Sequence, residues 1–169
     1  QTEHSAEASD LFEAVQTQVA NETLDDTDIN KADLLKNEYN DTPYAALVSL
    51  LLAKHAYDDG DSDSAMTHLR WVIEHSSETD VKYVASLRLA RLLIAEKKYD
   101  EAEAILLAEH PAGFNVGYEE LKGDLYVAKG EIALARVAYD KAINAAAGGA
   151  SRWLRLKRQD LGSADLENS

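Results

Sequence analysis

The sequence predicts an all-α chain built of repeated helical hairpins, and three observations carry that prediction. Apolar residues recur at three- and four-residue spacing, with no sustained strand-like alternation. Proline occurs only twice in 169 residues, so long helices meet few breaks. Small residues recur at a near-constant interval: Ala65, Ala102 and Ala135 are 37 and 33 residues apart, a period typical of helical arrays.

The clearest unit is Leu121–Ile143, LKGDLYVAKGEIALARVAYDKAI. Gly123 and Tyr126 fall on a first helix, Gly130 marks a turn, and Ala135 and Tyr139 fall on a second helix. This is the core of the tetratricopeptide pattern G-x2-Y…A-x3-F, a helix–turn–helix of roughly 34 residues. A Gly or Ala at the crossing lets two helices approach, and the aromatic ring fills the space beside it. The same arrangement recurs as Ala90-x2-Leu93 with Ala102-x3-Leu106, and as Ala53-x2-Ala56, Gly60 and Ala65-x3-Leu69. A lone hairpin cannot bury its apolar face, so neighbours must stack. The expected architecture is a tetratricopeptide-like helical-repeat solenoid of about three to four hairpins with a C-terminal capping helix. Residues 1–41 form an N-terminal hairpin (a degenerate repeat), 42–147 three repeats, and 148–169 the capping helix and tail.

Along the chain, residues 5–20 place Ala8, Leu11, Phe12, Val15 and Val19 on one face of an amphipathic helix. The polar stretch Asn21–Asp28 reads as a loop, with Asp28 capping a second helix that ends near Tyr39. Thr42-Pro43 reads as a capping hydroxyl followed by proline at the first helical position. The helix Tyr44–Tyr57 is apolar nearly all round and is expected to be buried between neighbours. Asp58–Asp63 turns the chain into Ser64–His75, with Ala65, Leu69, Val72 and Ile73 inward. Thr79 or Asp80 caps Val81–Glu96, Lys97–Tyr99 connects, and Asp100–Leu107 follows. His110–Gly117 is the longest break. Gly148-Gly149 stops the organising hairpin, and Ser151–Leu161 is a short basic cap whose tail, from Gly162, frays.

The net charge of −14 is concentrated at one end, since residues 1–63 hold 15 Asp/Glu and only 3 Lys/Arg. Phosphate backbones and anionic membranes need a basic face, so nucleic-acid binding and adsorption by charge are disfavoured. The absence of cysteine excludes thiol catalysis, disulfides and cysteine zinc sites. No run of 18 apolar residues spans a membrane, and a first residue Gln1 suggests a removed signal peptide or membrane anchor.

Asp59-x-Asp61-x-Asp63 resembles the start of a calcium loop, but Ser64 and Arg70 stand where that loop needs Gly and Glu. It reads as a solvated turn with capping aspartates. His4, His55, His68, His75 and His110 form no metal-binding pair at helical spacing. Nucleophile elbows, phosphate loops and dinucleotide fingerprints are absent, so no enzyme, metal or cofactor is expected. The remaining candidate is a protein-binding groove along the first helices of the repeats. Leu50, Lys54 and Tyr57, then Leu87, Arg91 and Ile94, then Glu120, Asp124 and Val127 share equivalent faces. This set suits an amphipathic or extended peptide. The alternative is that the end helices fold over these residues as core.

With the repeats and ends in place, the chain resembles the periplasmic domain of the YfgM-type proteins, the ancillary SecYEG translocon subunit family. The resemblance runs through Thr42-Pro43-Tyr44-Ala45-Ala46-Leu47, LRLARLLIAEKKYDEAEAIL, the Gly113-Phe114 break and Leu121–Ile143. It departs at Phe114, where the family usually has Trp, and in the unusually basic last helix. The resemblance implies a single-pass inner-membrane protein with this domain in the periplasm. Its implied partners are the SecYEG translocon, a membrane-anchored parvulin-class periplasmic chaperone and client polypeptides. A periplasmic or lipid-anchored scaffold for another envelope complex is the second reading.

Overall fold

The computed structural model describes residues 2–163, and the described residues contain helices and turns but no strand. The expected all-α, hairpin-repeat class is what the chain adopts. Its helices gather into two compact units, Gln1–Ser86 and Leu87–Ser169. The expected fraying of the tail beyond residue 163 lies outside the described residues.

The first unit contains α1 (Thr2–Ala20), α2 (Asp26–Glu38), α3 (Pro43–Asp58), α4 (Ser62–His75) and the start of α5 (Thr79–Ala95). The amphipathic face of α1 does what its spacing predicts: Ala8 and Val15 are fully buried against Ala32, Leu35, Val48 and Leu52, with Leu11, Phe12 and Val19 packed alongside. On α3, Leu47 remains 39% exposed and Leu50 and Leu51 are half-buried. The helix is therefore not buried all round; Ala45, Ala46, Val48, Ser49, Leu52 and Ala53 are the covered residues.

Helix starts differ in detail from the expected caps. Asp25, not Asp28, caps α2: its carboxylate accepts the Asp28 N–H at 3.0 Å, and the Asp28 carboxylate accepts the Asp25 N–H at 3.3 Å. This reciprocal box satisfies two orphan donors. Lys31 lies 2.9 Å from Asp28 and, above all other causes, holds that carboxyl below its ordinary range despite burial. Thr42 precedes Pro43 as expected, but its hydroxyl donates to the Tyr39 carbonyl at 2.7 Å and caps nothing. Asp61 caps α4 by accepting the Ser64 N–H at 3.0 Å. Thr79 and Asp80 lie inside the first turn of α5 and so do not precede the helix.

The second unit contains the rest of α5, then α6 (Tyr99–Leu106), α7 (Asn115–Lys129), α8 (Ile132–Ala145) and α9 (Arg152–Asp160). The His110–Gly117 break is shorter than expected. A 3-10 turn at Ala112–Phe114 leads straight into α7, placing Gly117 in helix against Leu87. The α8 helix ends at Ala145, ahead of the glycines, and Ala147 (φ 49°) and Gly148 (φ 91°) reverse the chain.

The periodic small residues are all packing positions. Ala53 and Ala90 are buried, as is Gly123, and so are Ala65, Ala102 and Ala135 on the second helices. At Gly123 the reason is geometric: a Cβ there would overlap the Tyr139 ring. Four turns then close alike. The N–H of residues 22, 60, 97 and 130 bonds three residues back, and the next N–H bonds five back, at 2.8–3.1 Å. This double bond pattern puts the first residue in the left-handed region. Gly60 and Gly130 adopt it freely, whereas Glu22 (φ 56°) and Lys97 (φ 59°) adopt it as non-glycine residues, at a cost of about 1 kcal/mol each.

The basic cap α9 is fixed to this unit at three levels. Ser151 caps it through the Leu154 N–H at 3.1 Å, and Leu154 is buried with Tyr139 and Ala142. Lys157 Nζ lies 3.0 Å from both Glu120 and Asp124, and Arg158 lies 2.7 Å from Asp140. Asp124 also accepts the Tyr139 hydroxyl at 2.6 Å. Burial first, and then that hydrogen bond, push the Tyr139 phenol well above its usual range.

Gly123→Ala forces the Tyr139 ring out of its seat and is expected to cost about 1–3 kcal/mol by urea denaturation, as overpacking does. A loss within experimental error of zero contradicts the close-approach account. The Tyr139 proton supplies a second test. Because its folded pKa is raised above the ordinary value of 10.0, its stabilisation is complete below that pH and declines as pH rises past it. Tyr139→Phe is expected to flatten the alkaline limb of the stability–pH curve, and an unchanged limb contradicts the assignment.

Candidate functional site

The nine residues expected to line a groove divide between the two units. In the first unit, Leu50, Lys54 and Tyr57 fall on one face of α3 at helical spacing. Leu50 is half-buried and Lys54 exposed, and Tyr57 is 54% exposed. Lys54 pairs with Asp58 one turn on. In the second unit, Arg91 is exposed and Ile94 half-buried on α5. Leu87 is occupied by packing, since its side chain meets the face of α7 at Gly117. On α7, Val127 is 39% exposed, while Glu120 and Asp124 hold Lys157 of α9.

The last contact bears directly on the two expectations for this surface. At the acidic end an end helix does fold over the face, through the Lys157 ion pairs beside the apolar seat of Leu154. The exposed members are Lys54, Tyr57, Arg91 and Val127.

A second concavity, absent from the sequence expectations, lies in the first unit. It has a volume of about 680 Å³ and sits between the end of α1, the turn into α2 and the end of α3. Val19, Leu24 and Leu51 give it apolar walls, and Glu22, Asp58 and Asp59 acidic ones. Of the nine expected residues, Lys54 alone lines it. Leu24, the one large apolar side chain in an otherwise polar loop, was the available signal.

The histidines are engaged in separate places. His4 stacks on Tyr39 and meets Asp41 at 2.9 Å, and His55 meets Asp59 at 3.3 Å. His75 stacks on Trp71 and His110 on Tyr118. Burial, reinforced by Lys36, holds His68 below its ordinary pKa, so it is neutral at pH 7. Among the described residues, no three His, Asp or Glu side chains are grouped to share a metal ion. Asp61 serves its turn as a cap, as the sequence reading of that loop has it.

Comparison with known proteins places these features in a family. A model of the tetratricopeptide repeat-like domain matches residues 1–163. The chain is 34% identical over 95 residues to the ancillary SecYEG translocon subunit of Neisseria gonorrhoeae, covering 56% of this chain and 46% of that protein. It is 30% identical over 104 residues to the ancillary SecYEG translocon subunit of Escherichia coli, covering 62% of this chain and 50% of that protein. A Buchnera aphidicola protein of the same name is 28% identical over 102 residues, which is 60% of this chain and 53% of that protein. The chain thus spans about half the length of the curated relatives it matches. No solved structure matches it. The relatives bear out the resemblance to the YfgM-type proteins. With its small residues buried at repeat spacing and the match covering residues 1–163, the chain belongs to the tetratricopeptide repeat-like domain family.

Proposed function

We propose that this chain is a non-enzymatic protein-interaction module, the periplasmic domain of an inner-membrane ancillary subunit of the SecYEG translocon. The observation that carries the reading is its similarity to three proteins named ancillary SecYEG translocon subunit. The repeat family supports it, because stacked hairpins present extended faces suited to holding partners. Among the described residues no helix is long and apolar enough to cross a membrane, and in this reading a single transmembrane segment supplies the anchor. Of the nine expected residues the exposed ones face partners, Lys54 and Tyr57 in the first unit and Arg91 and Val127 in the second. Those partners are the translocon, a membrane-anchored parvulin-class chaperone and, in passing, translocated clients. Linking translocation to periplasmic chaperones is the role that follows.

The test uses the full-length protein in its own membrane. Carbonate-resistant membrane association, with this domain cleaved by protease only after the outer membrane is opened, is the expected result. A soluble or lipid-anchored protein overturns the anchor and favours the scaffold reading. For the binding surfaces, Tyr57→Glu in the first unit and Arg91→Glu in the second are the informative variants, because both side chains are exposed and Leu87 is needed for packing. Each is expected to leave thermal unfolding unchanged while lowering co-purified SecYEG by about threefold or more, the scale of a moderate interface residue. Undiminished co-purification from either variant rules out the surface of its unit.

A further inference from the structure

We propose that the cleft between the ends of α1 and α3 is a binding site for a short peptide that pairs a lysine or arginine with a large aliphatic side chain. The site goes beyond the groove reading above and shares only Lys54 with it. Its volume of about 680 Å³ falls in the range of sites that enclose small ligands. It suits a few side chains and not a folded surface.

The chemistry of the occupant follows from the walls. Val19, Leu24 and Leu51 are half-buried apolar side chains bordering the cleft, and an aliphatic group seated there removes apolar surface from water. Around them stand Glu22, Asp58 and Asp59. Lys54 answers Asp58 and His55 answers Asp59, while the Glu22 carboxylate has no ion pair among the described residues. Carboxylates therefore outnumber cations at the mouth. The surrounding chain deepens the imbalance, since residues 1–63 carry 15 acidic and 3 basic side chains. A cationic ligand is attracted and an anionic one repelled.

Glu22 adds an independent argument. It holds the left-handed turn position that Gly60 and Gly130 fill with glycine elsewhere. Lys97 makes the same departure, so strain alone marks no site. Glu22 differs in that its side chain borders a cleft. Glycine is the residue the backbone favours there, and glutamate adds a third carboxylate to the cleft beside Asp58 and Asp59. Function and stability are thus separable at one position.

The experiment measures fluorescence anisotropy of a labelled Gly-Leu-Lys-Leu-Lys-Gly peptide with the 169-residue chain, with two control peptides. In one, glutamates replace the lysines; in the other, serines replace the leucines. Saturable binding is expected for the first peptide only, weakening as salt rises from about 50 to about 500 mM and screening sets in. Amide shifts on binding are expected within residues 16–24 and 51–59. Glu22→Gly is expected to melt at the same or a higher temperature yet bind about two- to fivefold more weakly, as loss of one exposed charge partner implies. Asp59→Asn is expected to weaken binding similarly. No saturation at about 1 mM protein, equal binding of the glutamate peptide, or full affinity in both variants overturns the proposal. The assay contains neither translocon nor membrane, so its failure leaves the translocon reading standing, and the converse holds.

Discussion

Close approach of paired helices is the constraint on which the rest of this structure depends. Each hairpin brings two helices together where a Cβ or less fills the crossing, and buried Ala65, Ala102 and Ala135 mark the seam on the second helices. Gly123 is the extreme case, since the Tyr139 ring occupies the volume of its missing side chain. Once that ring is seated, its hydroxyl is carried to Asp124, and Asp124 in turn helps hold Lys157. A packing choice made by one glycine thereby orders a polar network reaching the last helix. Every member of that network has a charge or hydrogen-bond partner, which is the condition for half-buried polar groups to stabilise a fold.

The turns show how such hairpins repeat without repeating their sequence. The same pair of backbone hydrogen bonds closes the chain after α1, α3, α5 and α7. The turn therefore fixes each hairpin locally, while the connection between hairpins is free to vary in length. That is why the spacing of 37 residues between Ala65 and Ala102 can exceed the 33 between Ala102 and Ala135 with both residues fully buried.

Much of this was legible in the residues. Helical periodicity and the small-residue interval identify the hairpins, and every small residue they single out at a crossing is buried. Local rules were weaker where several residues compete. Asp25, Asp26 and Asp28 can each accept backbone N–H groups, and only the geometry of the reciprocal bonds selects Asp25. Turns at Glu22 and Lys97 carry no glycine signal, because the paired backbone hydrogen bonds that close them hold a conformation the residue itself disfavours. The candidate surface was least legible. Helical spacing places Glu120 and Asp124 on a common face, but their partner lies 37 and 33 residues away, beyond the reach of any local pattern. Likewise Leu87 has the spacing of a groove residue and the contacts of a core one.

The Lys157 bridge has a thermodynamic consequence for recognition on α7. Glu120 and Asp124 already hold a cation on the same chain, 3.0 Å from each. A visiting lysine or arginine thus competes with a tethered rival whose effective concentration is of millimolar order or above. Its apparent affinity for this acidic pair is discounted by that competition, and a ligand that seats fully must also leave Lys157 somewhere to go. A lone cation therefore gains little at this pair, and a ligand needs further contacts to recover the loss.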